Sequence, residues 1–238
     1  MFSNNSWQQT TRPRDFSQAL SAFMSAVYLW MVVGITISGL TAWFVSTRPE
    51  IVVYMLQNPF LFYGMIIAQL GLVIAITGWV QRMSVAMASF IYVTYATLVG
   101  FTFSSIFLVY THASIASAFA VTAFAFAGLS VFGYTTKKDL GPIASFCIMG
   151  LFGMIGVMLV SLIFPSIMSN TMQMVYSAVG VIVFSGLTAY DTQRIKALQF
   201  QYASSGQARK GAIYGALVLY LDFINLFLSI LRLMGDRR

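Results

Sequence analysis

The sequence predicts an all-α integral membrane protein, a bundle of seven transmembrane helices. Three observations carry that prediction. Of the 238 residues, 59% are hydrophobic and only 8% are charged, and the mean hydropathy is +0.83; a soluble domain carries about 25% charged residues. Seven apolar runs approach or exceed the roughly 20 residues that cross a hydrocarbon core as a helix. The connections between them are short, and the runs lack the alternation of lipid and lumen faces that a membrane β-barrel requires.

Residues 1–21 read as a cytoplasmic N-terminal segment. The opening MFSNNSWQQTTRPRDFSQA is polar, so no cleavable signal is expected, and the run behind it is long enough to stay in the bilayer. Residues 22–238 form one predicted transmembrane domain, since no polar stretch suffices for a second unit. The spans are expected at 22–46, 59–80, 84–109, 112–134, 142–164, 174–192 and 212–232. Pro142 opens the fifth span, where a missing N–H costs little, and Pro165 closes it.

Two glycine series stand out. Gly64, Gly71 and Gly78 recur every seven residues in the second span, and Gly150, Gly153 and Gly156 every three in the fifth. They predict close helix–helix approach, which matters because lipid supplies no hydrophobic drive between helices. The tract 197–211, ALQFQYASSGQARKG, is the longest inner connection. It predicts a cytoplasmic continuation of the sixth helix, then a turn at the serines and Gly206.

Lys and Arg set the orientation. With the N-terminus inside, the inner side holds Arg12, Arg14, Arg82, Lys137, Lys138, Arg194, Lys196, Arg209 and Lys210, nine against the outer Arg48, Arg232, Arg237 and Arg238. Three of those four outer charges lie in the tail RLMGDRR, which a re-entrant last segment would return inside. Its length, from Ala212 to Met234, favours a full crossing. The net charge of +7 reflects these basic loops, and no basic run is interleaved with aromatics, so nucleic acid is not an expected partner. Cys147 and His112 are each unique, which leaves no disulfide framework and no Cys/His metal cluster. Cys147 reads as a small buried hydrophobe, and His112, in VYTHAS, as an interfacial hydrogen-bonding residue.

Charge inside the spans is rare enough to single out its carriers. Asp222, in LYLDFINLF, lies about ten residues into the seventh span, or about 15 Å at 1.5 Å per residue. An aspartate at that depth costs about 2.5–3.5 kcal/mol on insertion scales, and therefore needs water, a partner or a proton. Asp191, in TAYDTQRIK, sits at the inner end of the sixth span, and Arg82 at the inner end of the second. If Asp191 and Asp222 meet, they share a proton and titrate as a coupled pair. Arg82 competes for the ionised form, which makes a protonation switch. The plainer readings stay open: Asp191 paired with Arg194 three residues on, and Asp222 hydrogen-bonding neighbouring helices as a neutral group near Tyr220 and Asn225.

These residues match a known pattern. GFTFSSIFLVYTHASIASAFAVTAFAF, GYTTKKDL, GVIVFSGLTAYDTQRIK and GALVLYLDFINLFLSILRLMG, together with the remaining chain from about residue 20 onward, resemble the Bax inhibitor-1 (TMBIM or LFG) family, in particular its bacterial inner-membrane members. The resemblance implies a bundle with the last helix at its centre and a pH-sensitive calcium leak. It implies a pH-sensing pair at Asp191 and Asp222, with Arg82 as a latch. The first two spans carry no acidic residue, unlike some relatives; Glu50 lies in the outer loop.

A cation leak channel, calcium as cargo, is therefore the expected function. Ca²⁺ takes hard oxygen ligands, and Asp191 and Asp222, with Asn225 and backbone carbonyls, are the candidates for a weak, transient site. No resident cofactor and no enzymatic activity are expected. The expected partners are the lipid bilayer, calcium ions and a membrane protease. The protease belongs to the alternative reading, a non-conducting regulator of membrane proteolysis or of a stress response. An intramembrane aspartyl protease would also place one Asp on each of two helices, but its Gly-x-Gly-Asp turn is absent: Leu219, Tyr220 and Leu221 precede Asp222. A retinal pigment would need a lysine that residues 212–232 lack. The expected location is a bacterial inner membrane, multi-pass, with the N-terminus cytoplasmic.

Overall fold

The computed structural model describes residues 13–204 and 207–237. Among the described residues, seven helices are long and apolar enough to cross a membrane. They lie within α1 (Pro13–Ser46), α3 (Pro59–Trp79), α4 (Val85–Phe103), α6 (His112–Thr135), α7 (Gly141–Ile163), α8 (Asn170–Ser204) and α9 (Ala208–Met234). Two short helices, α2 (Pro49–Gln57) and α5 (Ile106–Val109), add to them. All seven predicted spans are present. The largest differences are at α1, which begins nine residues before the predicted span at 22, and at α8, which continues to Ser204 as the tract 197–211 suggested. The predicted turn at Ser205 and Gly206 lies outside the described residues, as do residues 1–12 of the N-terminal segment.

Local chemistry sets the helix starts. Asn58 Oδ1 accepts from Leu61 N–H at 3.3 Å, with Pro59 next in line, and opens α3. Ser84 accepts from Met87 N–H at 3.1 Å and opens α4. Thr111 accepts from Ser114 N–H at 3.2 Å and opens α6. Each cap satisfies a backbone donor that the first turn leaves without a partner.

Burial is uneven, and α9 has most of it. From Gly211 to Leu231 its buried residues include Leu217, Leu219, Tyr220, Asp222 and Leu226, whereas α3 buries only Ile76. The last helix packs against α1, α3, α4, α6 and α8. Its end is pinned: Thr111 N–H donates to the Asp236 carbonyl at 3.2 Å, Asp236 N–H to Ser114 Oγ at 2.9 Å, and Arg237 to Gln173 Oε1 at 2.8 Å. The tail thus sits where α6 and α8 begin, so α9 crosses the bundle completely and does not re-enter.

The glycine series do not pack as expected. A Cβ on Gly64, Gly71, Gly78, Gly153 or Gly156 would meet nothing within 4 Å, and only Gly150 faces a neighbour, Val183. Spacing puts such residues on one face but does not say where that face points, and α3 and α7 lie at the lipid-facing rim. The close approaches occur at isolated glycines in other helices. Gly133 of α6 lies against the Ala189 carbonyl of α8, Gly100 of α4 against Ser38 and Thr41 of α1, and Gly180 of α8 against Ser229 of α9.

Candidate functional site

α8 and α9 run antiparallel, joined by a short connection, and small residues bring them together. Gly180 faces Ser229, Gly215 faces Ile195, and Gly211 faces the Tyr202 ring. Moving up α8 thus means moving down α9, and Asp191 falls opposite Asp222 in the same series. Their side chains lie close enough to act on each other. A hydrogen bond between two carboxyl groups would need one proton between them, because an ionised carboxylate only accepts.

The two acids differ in their surroundings. Asp222 lies at the middle of α9, only 5% exposed, and its Oδ2 is buried with no hydrogen-bond partner. Asp191 is half-buried, and the Arg194 guanidinium, one turn on, is the cation that acts on it. Arg194 and Asp222 both act on Asp191.

Arg82 and Asn225 are not joined to the pair. Arg82 is exposed, in the turn Val80–Arg82 after α3, and lines a polar cavity of about 430 Å³ with Arg194, Tyr202 and Tyr214. Neither Asp191 nor Asp222 lines that cavity. Asn225 Nδ2 donates to the Leu221 carbonyl at 2.8 Å, within its own helix. Among the described residues no group of three or more His, Cys, Asp or Glu gathers to hold a metal. Ca²⁺ takes six to eight oxygens, so two carboxyl groups could hold it only in passing.

Two features near the pair escaped the sequence reading. Tyr220, fully buried, donates to Ser38 Oγ at 3.0 Å, and Ser38 donates on to the Gly34 carbonyl at 2.8 Å, which ties α9 to α1. The Tyr220 ring also meets Tyr92 and Tyr95 edge-on, at 6.2 and 5.7 Å. The polar cavity was likewise unseen, because its walls come from three distant segments. Cys147 is buried, as expected, and faces Gly186. His112 begins α6, its ring 5.6 Å from that of Phe107.

Comparison with known proteins agrees with this architecture. The family described as "Inhibitor of apoptosis-promoting Bax1" matches residues 20–238. The inner membrane protein YbhL of Escherichia coli K12 is 43% identical over 221 residues, 92% of this chain and 93% of that protein. A protein of Borreliella burgdorferi is 40% identical over 91% of this chain and 92% of its own length, and one of Caulobacter vibrioides 38% identical over 92% and 90%. A match over nearly the whole chain, on seven apolar helices, shows a multi-pass membrane protein that belongs to the Bax inhibitor-1 family.

Proposed function

We propose that this chain is a pH-sensitive cation leak, with Ca²⁺ as cargo, in a bacterial inner membrane with its N-terminus cytoplasmic. The location rests on the relative named as an inner membrane protein and on the nine-against-four excess of Lys and Arg. The observation that carries the reading is the Asp191–Asp222 contact, buried in the helix pair that packs most extensively. An acid at membrane depth is functional by default. Sharing a proton holds α8 and α9 together, whereas ionising both groups leaves two like charges in a poorly hydrated seam. The preferred spacing of the two helices therefore depends on pH.

The last helix is the natural moving or gating element, since it touches five others. Arg82, on the wall of the neighbouring cavity, is the candidate cation for the ionised pair, and Asn225 and backbone carbonyls are further oxygen donors near the path. The test is Ca²⁺ flux into liposomes holding the purified chain, measured across pH. Flux that varies with pH, and no longer does so in Asp191→Asn/Asp222→Asn, supports the proposal. Flux and pH dependence that survive in the double variant refute the switch. Absence of flux from the wild-type chain, together with one stoichiometric membrane-protein partner in a pull-down, favours the non-conducting regulator.

A further inference from the structure

The polar cavity that Arg194 shares with Arg82 has no acidic group to attract a cation. It is bounded by the turn after α3, the extension of α8 beyond the membrane span and the start of α9. Arg82 and Arg194 converge on its wall from residues 112 apart in sequence, and no Asp or Glu lines it. Trp79, Tyr202 and Tyr214 supply its aromatic surface.

The charges are left unbalanced. Asp191 interacts electrostatically with Arg194 but does not line the cavity. Among the described residues no hydrogen bond or ion pair holds the Arg82 guanidinium. Tyr202 cannot serve as the counter-charge: burial raises its phenol above the ordinary value, and it stays neutral. The turn that carries Arg82 is meanwhile braced, because Lys210 Nζ donates to the Gln81 carbonyl at 3.0 Å. That adds a third cation at the same end of the bundle. Two guanidiniums that line one cavity with no acidic side chain on its wall offer donors to an oxyanion that accepts from both.

We infer that this cavity is a binding site for a phosphate-type oxyanion, held by Arg82 and Arg194. Its volume of about 430 Å³ lies within the usual range of ligand pockets and exceeds the needs of a bare phosphate. The ligand class is therefore a phosphate ester whose remaining part lies against Trp79 and Tyr214. A soluble phosphate compound and the headgroup of an anionic lipid share that chemistry. The site stands whether or not the chain conducts ions, since neither carboxyl group of the pair forms its wall.

The test uses the full chain in nanodiscs. In discs of phosphatidylcholine, pyrophosphate is titrated by calorimetry. In discs containing phosphatidylglycerol, lipid retained through detergent extraction is counted by native mass spectrometry. Expected is saturable binding in at least one arm, weakened about tenfold by Arg82→Gln and similarly by Arg194→Gln. Lys137→Gln, which removes an exposed cation at the same end but outside the cavity, leaves it unchanged. Binding of pyrophosphate assigns a soluble ligand; retention of phosphatidylglycerol alone assigns a headgroup. No binding in either arm overturns the inference, and so does binding that Lys137→Gln weakens as much as Arg82→Gln. Thermal unfolding checks that the variants fold. Should Arg82→Gln lower the midpoint, Arg82→Lys takes its place; it keeps the charge but loses the fork, and a smaller loss of affinity is then the expected result.

Discussion

Asp222, buried at the middle of the last helix, meets Asp191 of the helix before it, and its second oxygen, Oδ2, has no hydrogen-bond partner. The unequal surroundings of the two acids make their replacement unequal. Asp191 is half-buried and has Arg194 as well, whereas Asp191 is the one charged group among the described residues that acts on Asp222. Asp222→Asn should therefore flatten the pH profile of liposome Ca²⁺ flux more completely than Asp191→Asn. Equal flattening by the two would show that the site behaves symmetrically.

Tyr220 joins α9 to α1 through Ser38. Tyr220→Phe keeps the ring and its edge contacts with Tyr92 and Tyr95 but removes the donor. Ser38 still has the Gly34 carbonyl as its own acceptor, so the loss is one hydrogen bond, about 1 kcal/mol. A thermal midpoint lower by about 2–4 °C in detergent is the expected result. A drop several times larger would mean that the ring itself shifts.

Gly133 and Gly153 give opposite results on the same substitution. A methyl group at Gly133 would collide with the Ala189 carbonyl, which is backbone and cannot swing aside; at Gly153 it would meet nothing. Gly133→Ala should destabilise by about 1–3 kcal/mol. Gly153→Ala should be neutral or slightly stabilising, because alanine is the better helix former. Thermal unfolding of the two variants, side by side, decides the matter.

The tail and the α6–α7 turn should lie on opposite sides of the membrane. Arg237 is held where α6 and α8 begin, and Lys138 lies beyond the far end of α6. With the unique Cys147 replaced by alanine, Arg237→Cys should react with a membrane-impermeant maleimide in intact cells, whereas Lys138→Cys should react only after the membrane is permeabilised. Equal labelling of both in intact cells, or of neither, would contradict a complete seventh crossing.

Composition and periodicity determined most of the architecture by themselves. Seven long apolar runs admit few alternatives, since every backbone polar group in lipid must be satisfied within its own helix. The expected starts of the second, third and fourth spans were close because the apolar runs begin just after Asn58, Ser84 and Thr111, polar residues that cap those first turns in the structure. The acids were legible for a similar reason. An aspartate at mid-span has no inexpensive local explanation, so Asp222 drew attention before any neighbour was known.

Tertiary structure decided what faced what. The glycine series at residues 64–78 looked like packing surfaces, yet they face outward, while Gly133 and Gly180, which belong to no series, bring backbones together. Arg82 was legible as a charge at a span end, but the cavity it shares with Arg194 and Tyr202 was not. A stripe or a charge is a property of one helix, whereas a contact depends on the rotation of two. In lipid the hydrophobic effect does not choose that rotation, so close backbone approach and buried hydrogen bonds such as that from Tyr220 to Ser38 must set it.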